Sequence, residues 1–237
     1  MRVAIVQSNY VPWKGYFDLI AAVDELILLD DVQYTRRDWR NRNRIKTPEG
    51  VRWLTIPVRT RGAYLQRIED VTVADPGWGR RHWETLRRSY RGSPHFQRYA
   101  PELERLYAGG EEDERLTAIN ERFLRRLCEW LEIPARLTRS SGRGEADGRT
   151  QRLVRLCLDA GADHYVSGPA ARAYLEESQF ARAGITVSYM SYAGYPQYPQ
   201  PHGPFEHAVS VLDLLLNTGP DAPRYMKHVA RRELAGP

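Results

Sequence analysis

Apolar runs separated by polar loops open the chain and predict a strand, a helix and a second strand. Arg2–Gln7 contains a Val-Ala-Ile-Val run that is typical of a buried strand. The apolar residues from Phe17 to Val23 have the spacing of a short helix, and Glu25–Leu29 is a second apolar run. A strand–loop–helix–strand unit is the usual beginning of a parallel α/β fold.

The middle of the chain has helical periodicity instead. Apolar residues recur every three or four positions in three segments: Trp78–Tyr90, Pro94–Tyr107 and Glu114–Leu131. Before them, Arg52–Val58 and Ile68–Val73 are predicted as short strands, and Pro57 places the first at an edge or strand end. We expect the central helices to form an insertion or a subdomain on the α/β core.

The α/β pattern then returns. Predicted strands are Ala135–Thr138, Asp163–Ser167 and Ile185–Tyr189. Predicted helices are one that starts at Thr150 as its N-cap, then Ala170–Ala183 and His207–Asn217. We therefore predict an α/β fold with a mostly parallel, Rossmann-like sheet and a helical insertion. The predicted parts are 1–77 and 134–220 for the core, 78–133 for the helices, and 221–237 for a tail that the fold does not need.

Composition adds broad limits. A chain of 237 residues with 42% hydrophobic residues suits one large domain or a core with a subdomain, and such a chain needs neither a disulfide nor a metal ion to fold. Cys128 and Cys157 lie in helical stretches and are expected in the core. No metal site is predicted. The beginning of the chain is too polar for a signal peptide, and no apolar run approaches the ~20 residues of a membrane span. A cytoplasmic protein that does not enter the membrane is expected. The net charge of +5 mildly favours anionic partners.

The loop after the first strand is the first candidate site. Gly15 at a helix start would direct backbone N–H groups and the positive end of the helix toward an anion such as phosphate or carboxylate. Ligands of α/β enzymes bind at such strand ends. The alternative is a turn in which Trp13 only packs. The candidate ligand-binding residues are Gln7, Asn9, Tyr10, Trp13 and Gly15.

The second candidate is the arginine-rich segment that follows Asp30 and Asp31. Six basic residues lie between Arg36 and Lys46, and arginine forks suit phosphate or carboxylate groups. Either aspartate could be a general base or a metal ligand, and aromatic side chains here could stack on a base or sugar. The alternative is a solvated basic loop with its own ion pairs. The candidate binding residues are Gln33, Tyr34, Arg37, Asn41, Arg42 and Asn43.

Two later segments carry weaker signals. Ser167, Gly168 and Arg172 follow a predicted strand and could cradle a phosphate, although strand–Ser-Gly–helix turns are common. The Pro- and Tyr-rich loop from Tyr192 to Phe205, with the two residues after it, offers stacking faces and titratable groups. Its candidates are Tyr195 and Gln200 for binding and His202 for proton transfer. The alternative is a stiff packing loop.

Together these segments resemble the WbqC-like protein family over almost the whole chain. The matching motifs are Gln7–Ile20, Asp30–Tyr34, Arg40–Lys46, Trp53–Val58, Tyr165–Ala171, Tyr195–Gln200, Pro204–Ser210 and Leu216–Gly219. Members of the family occur among genes for surface polysaccharide (O-antigen) and modified-sugar biosynthesis. The family has been suggested to transfer glycine to an amino sugar.

The resemblance implies an aminoacyl (glycyl-type) transferase or an amide ligase. Its substrates would be an activated amino acid and an amino sugar or nucleotide sugar; ATP is a possible cofactor and a tRNA a possible donor. Asp31 or His202 would remove a proton from the attacking amine, and burial would have to raise the pKa of Asp31 for this role.

A more distant similarity is to nucleotidylyltransferases and class I synthetases. Those enzymes hold the ATP phosphates with a Gly-His pair at a helix start, and here Tyr16 follows Gly15, which makes Tyr16 a candidate catalytic residue. A nucleotidylyltransferase that binds ATP or CTP is therefore one alternative function. Another is a tRNA- or nucleic-acid-binding module that uses Arg36–Lys46 with Trp39. The acidic stretch Glu111–Glu114 argues against a basic surface over the whole protein.

Overall fold

In the computed structural model of the chain, which describes residues 1–112, 115–143 and 146–229, five parallel strands form a central sheet. The described residues contain seven strands: β1 Arg2–Val6, β2 Glu25–Leu28, β3 Arg42–Thr47, β4 Gly50–Thr55, β5 Arg136–Arg139, β6 His164–Ser167 and β7 Thr186–Tyr189. Of these, β3 and β4 form a separate antiparallel hairpin. The α-helices are α1 Lys14–Ala21, α2 Trp78–Tyr90, α3 Phe96–Glu112, α4 Leu116–Trp130, α5 Arg149–Asp159, α6 Glu177–Arg182 and α7 Val211–Thr218.

The strand order of the central sheet is β5-β2-β1-β6-β7, and every neighbouring pair is parallel. From β1 the chain winds outward to β2 and β5, and then returns to the other side of β1 to add β6 and β7. The winding direction therefore reverses between β1 and β6, which is the switch point of a doubly wound fold. The predicted α/β class with a Rossmann-like, mostly parallel sheet is confirmed.

The two faces of the sheet have separate cores. On one face Ala4, Leu26 and Val166 join the large cluster that also contains α1, α7 and the central helices. On the other face Val3 and Ile27, with their neighbours, pack against α5 and α6. This division follows from the strand period of two, which sends alternate side chains to opposite faces.

The hairpin of β3 and β4 corrects the prediction of a polar loop at Arg42–Thr47. Asn43 and Ile45 are buried at alternate positions of β3, so the segment has a strand period that its arginines disguise. Thr47 pairs with Gly50, whose φ of 112° favours glycine and allows the tight turn. The strand predicted at Arg52–Val58 begins earlier and ends at Thr55.

Three other predictions were wrong in detail. Ile68–Val73 is not a strand: it begins with a 3-10 turn, and its later residues form only isolated bridges. The predicted helix Ala170–Ala183 is split into a 3-10 turn and α6. Gly148 rather than Thr150 precedes α5. At the first of these segments, the amides of Ile68 and Glu69 donate to the carbonyls of Val32 and Asp30, both at 2.9 Å, so bonds to distant loop residues hold a turn there.

The last predicted helix starts four residues late. Ser210 caps α7 by accepting a hydrogen bond from the Leu212 amide at 3.3 Å. Glu206 and His207 stay in the preceding loop, where Gln200 accepts a hydrogen bond from the Glu206 amide at 2.8 Å. A cap and a competing loop contact therefore set this boundary.

The central helices share the large core with the sheet. The Tyr10 hydroxyl contacts His82 Nδ1 on α2 at 2.9 Å and donates to the Tyr107 hydroxyl on α3 at 3.1 Å, and Phe123 on α4 packs on the same ring. The predicted start of the third central helix, Glu114, lies outside the described residues. The boundaries 77/78 and 133/134 stay predictions.

The segment after Asp221 is not dispensable as far as it is described. Ala222, Met226 and Val229 are buried. The Asp18 carboxylate of α1 accepts hydrogen bonds from the amides of Lys227 at 3.0 Å and His228 at 2.6 Å. Residues 222–229 therefore pack on the core and do not form a separate tail, and residues 230–237 lie outside the described residues.

Two smaller expectations concern the cysteines and the membrane. Cys128 and Cys157 are free and buried, as predicted, and burial raises the pKa of each thiol to about 12. Within the described ranges, no helix combines the length and apolar character needed to cross a membrane.

Replacing Tyr90 by phenylalanine should destabilise the fold. The buried Tyr90 hydroxyl donates to Asp213 Oδ2 at 2.7 Å and accepts the Lys46 amide at 3.0 Å. Its loss leaves two buried polar groups short of a partner, so we expect the free energy of unfolding to fall by about 1–3 kcal/mol in urea titrations. Tyr174→Phe, at a half-exposed position, is the control and should change little. Equal effects of the two variants would contradict the role of the Tyr90 hydroxyl.

Candidate functional site at the switch point of the sheet

The turns after β1 and β6 meet at the carboxyl edge of the sheet. Trp13, at the start of α1, packs edge-to-face on Tyr192 with ring centroids 5.1 Å apart. The Tyr192 hydroxyl lies 3.9 Å from the position that a Cβ would occupy on Gly168. Both predicted turns therefore border the same aromatic residue. We call Gln7–Asn9, Asp30, Arg40, Ser167 and Gly168 the switch-point site.

The start of α1 is covered and not open as an anion site requires. The Trp13 indole lies so close to Gly15 that any Cβ there would overlap the ring. Lys14 and Gly15 are buried with the rest of the helix. Gly15 therefore permits the packing of Trp13, which is the alternative that the sequence left open for this loop.

Asp30 supplies the carboxylate of the switch-point site. Its Oδ1 accepts the Ser8 amide at 2.8 Å, which joins the ends of β1 and β2. The Ser8 hydroxyl accepts a hydrogen bond from Asn120 of α4 at 3.1 Å. Burial raises the pKa of Asp30 above its usual value, although the Ser8 hydrogen bonds and the positive charge of Arg40 oppose this. A carboxylate of this kind is a general acid–base candidate.

Asp31, the predicted base, has different surroundings. Its carboxylate forms an ion pair with Arg152 of α5 and accepts the Ser140 hydroxyl at 2.7 Å. Both side chains of the ion pair are largely shielded, with 7% of Asp31 and 23% of Arg152 exposed. The ion pair and the hydrogen bond occupy both oxygens of this carboxylate. Asp31 is thus placed to hold α5 against the end of β2.

Arg40 connects the arginine-rich segment to the end of β1. Its guanidinium donates to the Asn9 side-chain carbonyl and pairs with Asp38 at 3.3 Å. Asn120 also donates to the Arg40 carbonyl at 2.9 Å. This arrangement places a largely buried cation at the switch-point site, beside the predicted Asn9, although Arg40 itself was not predicted.

Two predicted residues near β1 have backbone or core roles. The buried Tyr16 hydroxyl donates to the Gln7 carbonyl at 3.0 Å, and burial, with the negative charge of Asp30, raises the pKa of this phenol. Tyr10 belongs to the aromatic core described above. Tyr16 therefore fixes the backbone at the end of β1, and the Gln7 side chain stays a candidate for ligand contact.

The amides predicted for binding mostly support the hairpin. The side-chain nitrogen of Asn41 donates to the Ile56 carbonyl at 2.8 Å, and that of Asn43 donates to the Tyr10 carbonyl at 3.1 Å. The remaining predicted residues of this segment, Gln33, Tyr34, Arg37 and Arg42, contact the loop 59–67 or lie on the outer side of the hairpin. Only Arg37 and Gln33 among these four are exposed.

The turn after β6 is partly available. Ser167 is buried, and its hydroxyl lies 3.3 Å from the Tyr165 hydroxyl. Arg172 is exposed and stacks on Tyr189 with its guanidinium carbon 4.6 Å from the ring centroid. Gly168 borders Tyr192, which packs on Trp13 of the turn after β1.

The Pro- and Tyr-rich loop binds buried carboxylates. The Tyr195 hydroxyl donates to Asp18 at 2.8 Å, and Gln200 donates to Asp213 at 2.7 Å. His202 lies elsewhere, at the hairpin turn: its Nε2 is 3.0 Å from the Ser89 carbonyl of α2. The structure therefore does not bring His202 together with Asp31 or Asn9 through any contact of the described residues.

Lys14 is a buried amine that the sequence analysis did not single out. Its Nζ lies 5.0 Å from the Tyr195 ring, 5.2 Å from the Tyr198 ring and 5.9 Å from the Phe205 ring, and it donates to the Pro196 carbonyl at 3.1 Å. We call these three rings the lysine cage. Burial lowers the pKa of Lys14 to about 8, against the opposing charges of Asp18 and Asp213. The cage explains why this loop is rich in tyrosine.

A cavity of about 480 Å³ lies over β6 and β7 on the face of the larger core. Val166 and Met190 contribute apolar lining, and Arg2, Lys227 and His228 contribute polar lining. His228 Nδ1 is 3.2 Å from the buried Asp18 carboxylate. His228 falls in the predicted tail, so no sequence signal pointed to it. In the part of the chain that the structure describes, no three His, Cys, Asp or Glu residues are grouped to hold a metal ion.

Strand order and the meeting of the two turns define a Rossmann-like α/β protein with a candidate ligand site at its switch point. The chain belongs to the WbqC-like protein family, whose model matches residues 7–225. It is 48% identical over 227 residues to a protein of Mycobacterium tuberculosis (strain ATCC 25618 / H37Rv) named "Uncharacterized protein Rv1507c". That match covers 96% of this chain and 98% of the mycobacterial protein. No solved structure matches the chain.

Lys14→Met should change how stability depends on pH. In the folded protein Lys14 has a pKa of about 8, below the ordinary 10.5, so the unfolded chain binds more protons between these values. The stability of the natural protein should therefore rise, relative to the variant, as pH increases from about 7 to about 9.5. Urea unfolding at both pH values measures this change.

The exposed and non-titrating position Leu158 supplies the control. The stability difference between Leu158→Ala and the natural protein should not vary with pH. If the stability difference between Lys14→Met and the natural protein is equally independent of pH, the buried amine does not titrate in this range.

Proposed function

We propose that this protein forms an amide bond by transferring an activated amino acid, of glycyl type, to the amine of a nucleotide-linked amino sugar. The observation that supports this most is the switch-point site, where the buried Asp30 with its raised pKa lies beside the Ser8 amide and near Arg40. Membership of the WbqC-like family supports the reaction class. Surface polysaccharide or modified-sugar biosynthesis is the proposed setting.

The reaction needs a base and a place for negative charge. The amine nitrogen attacks the carbonyl carbon of the activated amino acid, a carbon–nitrogen bond forms, and the bond to the leaving group breaks. Asp30 takes the proton that the nitrogen loses, because its raised pKa brings its proton affinity closer to neutrality. Arg40, held by Asn9 and Asp38, binds the leaving group, which is the phosphate of an acyl phosphate or acyl adenylate. With a tRNA ester the leaving group is the ribose oxygen, which departs as a hydroxyl after taking up the proton from Asp30.

Asp30 replaces Asp31 and His202 as the proposed base for physical reasons. The oxygens of Asp31 are occupied by Arg152 and Ser140, and His202 is bound at the hairpin turn. ATP is the proposed activating cofactor if the donor is a free amino acid, and no ATP is needed if the donor is already an ester on a transfer RNA.

A second candidate function is nucleotidylyl transfer without amide chemistry. It is favoured by the strand order and by the contact of Trp13 and Gly168 with the same Tyr192, since nucleotides bind at such switch points. Pyrophosphate release from ATP or CTP that continues without any amine acceptor would support this function over amide formation.

The direct test is an assay with glycine, ATP and a nucleotide-linked amino sugar, with glycyl-tRNA as a second donor. We expect mass spectrometry to detect an amide product with one of the donors. Asp30→Asn keeps a carbonyl oxygen for the Ser8 amide but removes the base, so we expect kcat to fall about 10²–10⁴-fold.

Asp159→Asn is the matched control, because Asp159 pairs with Arg155 on the surface of α5. It should retain full activity and the same melting temperature. If no donor gives an amide product, or if Asp30→Asn is as active as Asp159→Asn, the proposed function is wrong.

A further inference from the structure

The outer side of the β3–β4 hairpin carries two exposed tryptophans beside two arginines. Trp39 is 38% exposed and Trp53 is 41% exposed, and their ring centroids are 5.2 Å apart at an angle of 39°. We call Trp39, Arg42, Arg44 and Trp53 the tryptophan–arginine patch.

Strand register assembles the patch. Arg44 pairs directly with Trp53 across the hairpin, and Arg42 pairs with Thr55, so these residues share one face. The Arg42 guanidinium carbon lies 4.2 Å from the Trp53 ring centroid. That of Arg44 lies 5.7 Å from the Trp39 centroid and 5.8 Å from the Trp53 centroid. The opposite face, with Asn43, is buried and anchors the hairpin.

The arginines that stack on the two tryptophans leave a large part of each indole exposed. Large aromatic side chains are usually buried, yet both indoles keep about two-fifths of their surface in water. Neighbouring exposed aromatic residues of this kind mark binding surfaces more often than isolated ones do. The cations hold the rings in place and keep the patch positively charged.

Charge identifies the kind of partner. Arg37, whose carbonyl accepts a hydrogen bond from Arg42, is exposed, whereas Asp38 is already paired with Arg40. The nearby Glu49 of the hairpin turn accepts a hydrogen bond from Thr47 at 3.0 Å. A second copy of the chain would oppose arginines to arginines, so self-association is disfavoured at this surface. An anionic partner with flat aromatic groups is complementary to it.

The shape of the patch favours a strand over a small molecule. Neither Trp39 nor Trp53 lines the cavity over β6 and β7 or the one of about 410 Å³ at the hairpin turn. Small ligands prefer concave pockets, whereas single-stranded nucleic acids bind open surfaces on which bases stack and cations contact phosphates.

We propose that the tryptophan–arginine patch binds single-stranded RNA, with bases stacked on Trp39 and Trp53 and phosphates bound by Arg42 and Arg44. The binding is independent of the amide chemistry proposed above. The patch lies next to the switch-point site. The Tyr10 amide donates to the Trp39 carbonyl at 3.1 Å, and the following residue, Arg40, donates to Asn9.

The test measures binding of a short fluorescein-labelled single-stranded RNA by anisotropy over a range of salt concentrations. We expect affinity to fall as salt rises, because phosphate contacts release counterions. Trp53→Ala should weaken binding at least about fivefold, since base stacking is lost. Arg44→Gln should weaken binding, because one phosphate contact is lost. It should also reduce the slope of log affinity against log salt concentration by about 1. RNA should also quench tryptophan fluorescence, and Trp39→Phe with Trp53→Phe should remove most of this quenching.

Tyr174→Ala is the matched control, because Tyr174 is also an exposed aromatic residue that stacks with an arginine, Arg149. It should bind RNA like the natural protein, and circular dichroism should show that all variants are folded. Three results would overturn the proposal: no RNA binding at low salt, equal losses in Trp53→Ala and Tyr174→Ala, or equally tight binding of a free mononucleotide. A patch variant that alters only the oligomeric state in sedimentation would overturn it as well.

Discussion

A carboxylate removed from water must be compensated by hydrogen bonds, and this constraint on Asp18 and Asp213 organises much of the molecule. Asp18 on α1 binds the Tyr195 hydroxyl, the amides of Lys227 and His228, and the His228 ring. Asp213 on α7 binds the hydroxyls of Tyr90 and Tyr198 and the amide of Gln200. Two single side chains thereby tie α1, α2, α7, the Pro- and Tyr-rich loop and the C-terminal segment together.

The two carboxylates also have different electrostatic consequences. Burial raises the pKa of Asp213 despite its hydrogen bonds, whereas at Asp18 the hydrogen bonds from His228 and Tyr195 outweigh burial and lower the pKa. Lys14 lies between these groups in the lysine cage, and both negative charges favour its protonated form. The loop from Tyr192 to Phe205 therefore covers these buried groups and supplies hydrogen bonds to both carboxylates. Its contact with Trp13 then fixes the turn after β1 against the turn after β6.

This arrangement leaves the carboxyl edge of the sheet as the region where polar side chains from several elements meet. Asp30 and Arg40 lie there because Ser8, Asn9 and Asn120 hold them. The hairpin is fastened to the same edge through the Asn43 side chain and the Trp39 carbonyl. Substrate chemistry at the edge and RNA binding on the hairpin are thus separate proposals about neighbouring surfaces.

Local patterns allowed the class of fold to be predicted, because apolar runs and helical periodicity are properties of neighbouring residues. The bounds of α2 were predicted correctly for this reason. The strand β3 was missed since its buried Asn43 and Ile45 alternate with three basic residues, which imitate a loop. Asp31 was preferred to Asp30 because its partners Ser140 and Arg152 are more than a hundred residues away along the chain. The sequence could not show whether Gly15 and Trp13 contact a ligand or pack on each other, because the answer depends on the position of the indole ring.

The most direct measurement is a crystal structure of the protein soaked with a nonhydrolysable ATP analogue and a nucleotide-linked amino sugar. We expect density for a nucleotide at the ends of β1 and β6, within hydrogen-bond distance of Asn9 or Arg40 and of Gly168, with the amine near Asp30. Density only in the cavity beside His228, or only at the hairpin turn, would contradict the assignment of the reaction to the switch-point site.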